Sequence, residues 1–310
     1  MHANIRTVLL LTAAALTLGA CNEKADVPIA QGYGPEPALP APKHNWIPTV
    51  NVAKAIGWPS GEKPKAADGF AVAAFASELD HPRSLFVLPN GDILVAETNA
   101  PPKPDDSGGI RGFFEKYAMG KAGASTPSAN RITLLRDADG DGKAETRTVF
   151  LEGLNSPFGM ALVGNDFYVA NSDAVMKFTY RDGDTKITTP GVKVADLPGG
   201  RINHHWTKDL VASPDGTKLY ATVGSNSNVG ENGIDAEKNR AGILEIDIAT
   251  GSSRVFASGL RNPNGPSWQP QSGALWVAVN ERDEIGSDLV PDYMTSVKDG
   301  GFYGWPYSYY

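Results

Sequence analysis

An all-β fold assembled from a repeated four-stranded unit is what this sequence predicts, and three observations carry the prediction. First, the chain is rich in turn formers, with 34 glycines and 23 prolines in 310 residues, below the ~25–30% share that marks low-complexity sequence. Second, one strand–turn–strand pattern occurs four times. Third, each copy leads into further strand-like segments, and the turns recur at a blade-like interval. Gly164, Gly216 and Gly273 stand 52 and 57 residues apart, and Gly91 precedes Gly164 by 73. Four strands every ~40–55 residues is the period of a β-propeller blade. A β-sandwich has no self-similar unit of that length.

In chain order, residues 1–20 (MHANIRTVLLLTAAALTLGA) place Arg6 before an apolar run from Val8 to Leu18. That run suits a secretory signal and is short for a membrane span of ~20 apolar residues. It ends Leu18-Gly19-Ala20-Cys21, which resembles a bacterial lipobox; the sole cysteine of the chain falls there. Cys21 is thus the expected lipid attachment point, and Asn22 after it points to the outer membrane, periplasmic face. One cysteine excludes an internal disulfide framework and a cysteine-cluster zinc site. Residues 21–66 are proline-rich without a sustained period and read as an extended tether, with Trp46 and Trp58 expected to pack on the domain.

The propeller domain is expected over 67–310. Its four hairpins centre on Asn90-Gly91, Gly164-Asn165, Asp215-Gly216 and Ser272-Gly273, dipeptides that supply the positive-φ residues of tight turns. Further strands are expected at Ile132–Asp137 with Thr146–Phe150, at Ala174–Tyr180 before a turn at Asp182-Gly183, and at Gly242–Ile248 with Ser253–Ala257. An insertion, 100–130, holds a predicted short helix at Ile110–Met119 and is expected between blades on a propeller face.

Net charge is −7, from 28 Lys+Arg and 35 Asp+Glu. Without clustered cations to neutralise phosphates, general nucleic-acid binding is disfavoured. Asp137-Ala-Asp139-Gly-Asp141-Gly-Lys-Ala-Glu145 carries the alternating carboxylates and the glycine of a calcium loop, but Thr148 stands where a bidentate Glu belongs. It reads as an acidic hairpin tip, with calcium binding as the alternative. The sharper constellation is His204-His205-Trp206, just before the first strand of the third copy, at the expected mouth of the central channel. Imidazole titrates near neutrality and can take a proton from a hydroxyl. At the fourth-copy junction, Gly259-Leu-Arg261-Asn262-Pro-Asn264 offers a guanidinium that could clamp a carboxylate or stack on a planar ring, or simply brace the loop. Gly224-Ser-Asn226-Ser-Asn228 and Asn280-Glu281-Arg282-Asp283-Glu284 are expected at the same rim; the latter could hold a hard cation.

His205 nine residues before Pro214-Asp215-Gly216, then Gly259-Leu-Arg-Asn-Pro263, then Asp299-Gly-Gly-Phe-Tyr-Gly-Trp305-Pro306 together resemble the glucose/sorbosone dehydrogenase family. These are quinoprotein six-bladed propellers using pyrroloquinoline quinone (PQQ), and the variant is nearest the bacterial sorbosone dehydrogenase-like lipoproteins. The resemblance spans Phe70 to Tyr310. It implies His205 as general base, Arg261 and Asn262 as PQQ contacts, and backbone carbonyls near Glu281 and Arg282 as calcium ligands, although the family's small Gly-Pro pair is replaced there by Glu-Arg. It further implies oxidation of a sugar or sugar-derived aldehyde by hydride transfer, and an electron acceptor such as a cytochrome or quinone. A non-catalytic, lipid-anchored propeller that binds a glycan or protein is the alternative. A calcium-dependent propeller lactonase is disfavoured, because the rim segments are led by His and Arg. Set against six blades, the 310 residues are expected to form an incomplete arc of about four blades, a C-terminally truncated fragment.

Overall fold

The computed structural model describes residues 24–43, 52–102, 117–124 and 126–309. The lipobox and signal, Trp46 and most of the predicted insertion helix lie outside these residues. Among the described residues, fifteen strands form four antiparallel sheets. The first contains β1 (Pro82–Val87), β2 (Ile93–Glu97), β3 (Arg131–Arg136) and β4 (Thr146–Leu151). The second contains β5 (Met160–Val163), β6 (Asp166–Ala170), β7 (Ala174–Thr179) and β8 (Val192–Asp196). The third contains β9 (Leu210–Ala212), β10 (Lys218–Val223), β11 (Gly242–Asp247) and β12 (Ser253–Ser258). The fourth has three strands, β13 (Asn262–Trp268), β14 (Leu275–Asn280) and β15 (Tyr293–Val297). Strand order within each sheet follows sequence order, the meander of propeller blades. The predicted incomplete arc of four blades is the observed architecture.

The blades pack face to face because their strands are apolar on both sides. Successive residues of a strand point to opposite faces. In β6, Phe167 and Val169 accordingly enter a core shared with the first blade, while Tyr168 and Ala170 enter one shared with the third. The first of these cores is anchored by Phe150 against Phe167, with ring centroids 5.6 Å apart and edge to face. A third core joins blades three and four through Ile243, Phe256, Leu275 and Val277. The end blades differ. In β14, Leu275, Val277 and Val279 are buried while Trp276, Ala278 and Asn280 are exposed. On β1, Leu85 and Val87 are exposed. The fourth blade therefore presents an uncovered sheet face, whereas the outer face of the first is exposed only along β1: Val95, Thr133 and Leu135 on the same face of β2 and β3 are buried.

The turn glycines behave as read: Gly91 has φ 91° and Gly216 φ 70°, the left-handed conformation that tight hairpins need and that L residues avoid. Three expectations are corrected. The 100–130 insertion joins β2 to β3 inside the first blade rather than joining two blades, and its described part is helical at 117–121. The last strand of blade two begins at Val192, well beyond the Asp182-Gly183 turn. Trp58 is exposed instead of packing on the domain.

The N-terminal segment is pinned to the fourth blade. Asp288 Oδ1 accepts the N–H groups of Asp26 and Val27 at 2.8 and 2.9 Å. The Lys43 N–H donates to the Ile285 carbonyl. Among the described residues, no helix is long and apolar enough to cross a membrane.

Candidate active site

At one edge of the arc, four connections meet: residues 197–209 leading into β9, 224–241 between β10 and β11, 259–261 between β12 and β13, and 281–292 between β14 and β15. His205 stands on the first. Its backbone N–H donates to the Ser225 carbonyl at 3.3 Å. Its ring Nδ1 lies 2.7 Å from the same carbonyl and 3.1 Å from Ser225 Oγ. A carbonyl only accepts, so Nδ1 carries the proton and Nε2 keeps its lone pair. Ser225 Oγ in turn donates to the Ser227 carbonyl at 2.6 Å, which orients its own lone pairs.

Burial above all holds the His205 ring neutral, reinforced by the positive charges of Arg261, His204 and Arg240, and only partly opposed by the Ser225 carbonyl; its pKa is pulled down to about 3. Nε2 is thus a hydrogen-bond acceptor throughout the physiological range, and it has no hydrogen-bond partner among the described residues. His204 is exposed, with its ring edge-on 5.1 Å from that of His205. The less exposed member of the pair is the one that the sequence count singles out.

Gly224 is the spacer between His205 and Asn262. A Cβ there would stand 2.5 Å from His205 Cβ and would collide with Asn262 Oδ1. Only glycine lets the two side chains approach this closely. Asn262 Oδ1 is buried with no hydrogen-bond partner, and so is Arg282 Nε. Unpaired buried polar atoms are rare in native folds, and here both belong to segments that meet at this edge.

Arg261 behaves differently from the expected open clamp. Its Nε donates to the Asn228 carbonyl (3.1 Å), Nη1 to the carbonyls of Asn280 (3.3 Å) and Glu281 (2.5 Å), and Nη2 to Asn228 Oδ1 (2.9 Å) and Asp283 Oδ2 (3.2 Å). All five guanidinium N–H groups are therefore spent on protein oxygens. The side chain is also buried, so what it offers a ligand is its charge. The Glu281 carbonyl, expected as a calcium ligand, instead accepts from this cation, so the residues present do not fit a metal at that oxygen. The Glu281 side chain is buried, which raises its carboxyl pKa, and its Oε2 accepts the Arg282 N–H at 3.0 Å.

Carboxylates do converge elsewhere. Ligand atoms of Asp137, Asp139, Asp141 and Glu145 lie within 4.8 Å of one another at the β3–β4 tip. Much of that oxygen is already used by the turn: Asp137 accepts the N–H groups of Gly140, Asp141 and Gly142, and Glu145 accepts that of Ala138. Thr148 donates to the Thr185 carbonyl and takes no part in the tip.

The Gly-Gly-Phe-Tyr-Gly-Trp-Pro run braces the rim rather than lining it. Phe302 bridges to Ser258. The buried Trp305 donates its backbone N–H to the Gly259 carbonyl and its indole Nε1 to the Asn228 carbonyl at 2.9 Å. Sequence reading placed the Gly224–Asn228 segment at this rim without a role for Gly224 or Ser225, and missed Lys208 and Arg240, which both donate to the His205 carbonyl. It also missed Arg83, whose guanidinium carbon lies 5.6 Å from the Trp206 ring centre and 5.9 Å from that of Phe158.

The family described as Domain of unknown function (DUF7133) matches residues 62–296. A protein of Borreliella burgdorferi is 25% identical over 163 residues, 50% of this chain and 42% of that protein. Among solved structures, a Trichoderma reesei carbohydrate-active enzyme of family AA12 superposes with TM-score 0.62 at 18% identity, covering 82% of this chain and 62% of that one. The holo form of the pyranose dehydrogenase PQQ domain from Coprinopsis cinerea gives 0.58 at 18%, covering 80% and 58%. The PQQ-bound aldose sugar dehydrogenase from Streptomyces coelicolor gives 0.52 at 18%, covering 77% and 66%. These likenesses show a shared fold, and this chain spans less than two thirds of the length of each of these relatives.

Proposed function

The chain belongs to the DUF7133 family, and on that premise we propose that it serves PQQ-dependent oxidation of a sugar or sugar-derived aldehyde. The observation that carries the reading is His205: an imidazole locked by Ser225 into the tautomer that leaves Nε2 free, at the edge where unpaired buried polar atoms of two neighbouring segments gather. Such a nitrogen can take the proton of a substrate hydroxyl. Asn262 Oδ1, Arg282 Nε and the charge of Arg261 are what would hold the polar rim of a flat anionic cofactor. PQQ, when bound, would supply the quinone that accepts the hydride, and with it the two electrons of the oxidation. Solved structures of the same fold include a PQQ domain and a PQQ-bound sugar dehydrogenase, which supports the reading.

Calcium belongs to the proposal as a Lewis acid for that quinone, with its ligands outside the Glu281 carbonyl. The reduced site would pass electrons to a cytochrome or quinone. A lipid on Cys21 would hold the protein at the periplasmic face of the outer membrane.

The test is titration of the purified chain with PQQ and calcium, followed by dye reduction with aldoses and sugar aldehydes. Micromolar PQQ binding, and dye reduction that disappears in His205→Ala, are expected. Absence of PQQ binding at micromolar cofactor overturns the reading and favours a glycan- or protein-binding propeller.

A further inference from the structure

Beneath the His205 loop two cations are buried together. Lys208 is fully buried, and its Nζ donates to Asn203 Oδ1 (3.2 Å), the His205 carbonyl (3.1 Å) and the Trp206 carbonyl (3.2 Å). Arg240 is also buried; its Nη2 donates to the same Asn203 Oδ1 (3.1 Å) and the same His205 carbonyl (3.2 Å). Its Nη1 reaches the carbonyls of Pro198 and Gly199, and its Nε donates to the Gly224 carbonyl at 3.0 Å. None of these acceptors is a carboxylate. Desolvating a cation costs several kcal/mol even after relaxation, and a neutral donor would hold a loop at smaller cost.

The pattern of acceptors shows what the pair does. Arg240 holds Gly224 on one loop and His205 on the other, and these are the two loops joined by the Nδ1–Ser225 hydrogen bond. We propose that Lys208 and Arg240 are positioning residues for His205: one clamp that grips its carbonyl and the loop of its Ser225 partner, fixing the ring with Nε2 outward. This rests on the reading of His205 as the proton acceptor. The charged and titratable groups acting on the ring are His204 on its own loop, Arg261 just before β13 and Arg240 before β11. Asp173 acts on Lys208, and Glu237 on Arg240.

The test is histidine and arginine side-chain NMR on the full chain, with no cofactor needed. In the wild type, His205 Nδ1–H, Arg240 Nε–H and the Lys208 ammonium protons should exchange with one common opening rate, and the ring should not titrate near pH 6.5. Arg240→Met should raise the His205 titration midpoint by roughly one pH unit and speed Nδ1–H exchange at least tenfold. Arg240→Lys should leave the midpoint where it was. Lys208→Met should speed the exchange by a similar factor. An unchanged midpoint and exchange rate in a folded Arg240→Met overturns the clamp. If the variants do not fold, Nδ1–H exchange in the wild type more than tenfold faster than that of Arg240 Nε–H overturns it just as directly. A clamp upheld by NMR in a chain that binds no PQQ would leave the positioning role standing and the dehydrogenase reading fallen. Unmoved NMR signals in a chain that reduces dye with sugars would do the reverse.

Discussion

Replacing Gly224 by alanine adds one methyl group at the point where His205 and Asn262 come together. The new Cβ would stand 2.5 Å from His205 Cβ, against ~3.5–4.0 Å for an unstrained carbon pair. One of the two must retreat by about 1 Å. His205 cannot retreat freely, because its Nδ1 is held at 2.7 Å by Ser225 and its carbonyl by Lys208 and Arg240. Overpacking of this kind costs roughly 1–3 kcal/mol of stability. A 1 Å misplacement of a reacting group costs on the order of 100-fold in rate. Urea denaturation should therefore show the midpoint falling with an unchanged slope, and dye-linked turnover in the PQQ-loaded protein should fall about 100-fold. Gly164→Ala is the control. Gly164 sits at φ 57° with nothing near its Cβ position, so it should lose about 1 kcal/mol of stability and keep turnover. A Gly224→Ala protein with wild-type stability and turnover would refute the packing argument.

Three further outcomes follow from the same contacts. The His205 ring is neutral in the fold down to about pH 3 and protonates near 6.5 when unfolded, so the unfolded state binds more protons in between. Stability should fall as pH drops from 6.5 towards 3, by up to a few kcal/mol, and His205→Gln should lose that part of the slope in pH-dependent urea melts. Arg261→Lys cannot serve five acceptors and leaves buried carbonyls unpaired, which costs about 1–3 kcal/mol each; equilibrium denaturation should show the loss, and an unaltered midpoint would contradict it. Trp305→Phe keeps the ring but loses the indole bond to the Asn228 carbonyl, so a loss of about 1 kcal/mol is expected, read as a lower thermal midpoint.

The blades were legible because hairpin turns and two-faced apolar strands both leave a local signature. Phe167 to Ala170 is an unbroken apolar run since the strand serves two cores. β8 left no such mark: its exposed positions carry Val192 and Lys193, and it adds to the outer edge after a loop with no period. His205 was legible through its spacing to a turn. Its supporting residues were not, because Lys208 and Arg240 look like surface cations in a one-dimensional chain. Only the fold shows them enclosed. Arg261 was legible as important, but its role is set by the carbonyls that surround it. The number of acceptors around a guanidinium is a tertiary property that no local pattern carries.

The charges at the site argue for an anionic visitor. The chain as a whole carries −7, yet the groups closest to His205 include Arg261 and Arg240, with Lys208 beneath. Of the carboxylates near Arg261, Asp283 is exposed, and the Glu281 carboxyl has its pKa raised by burial. Buried cations beneath this edge favour an anion there, offset in part by Asp283, Glu281, Glu231 and Asp292, which act on Arg261. Burial first, and the same positive field second, keep the His205 ring from protonating, so the feature that would attract an anionic cofactor reinforces the free Nε2 lone pair. The two requirements of the proposed chemistry, a held anion and a neutral base, thus draw on the same buried cations. Removing either Arg240 or Arg261 should weaken both together, which separate binding and titration measurements on the same variant can check.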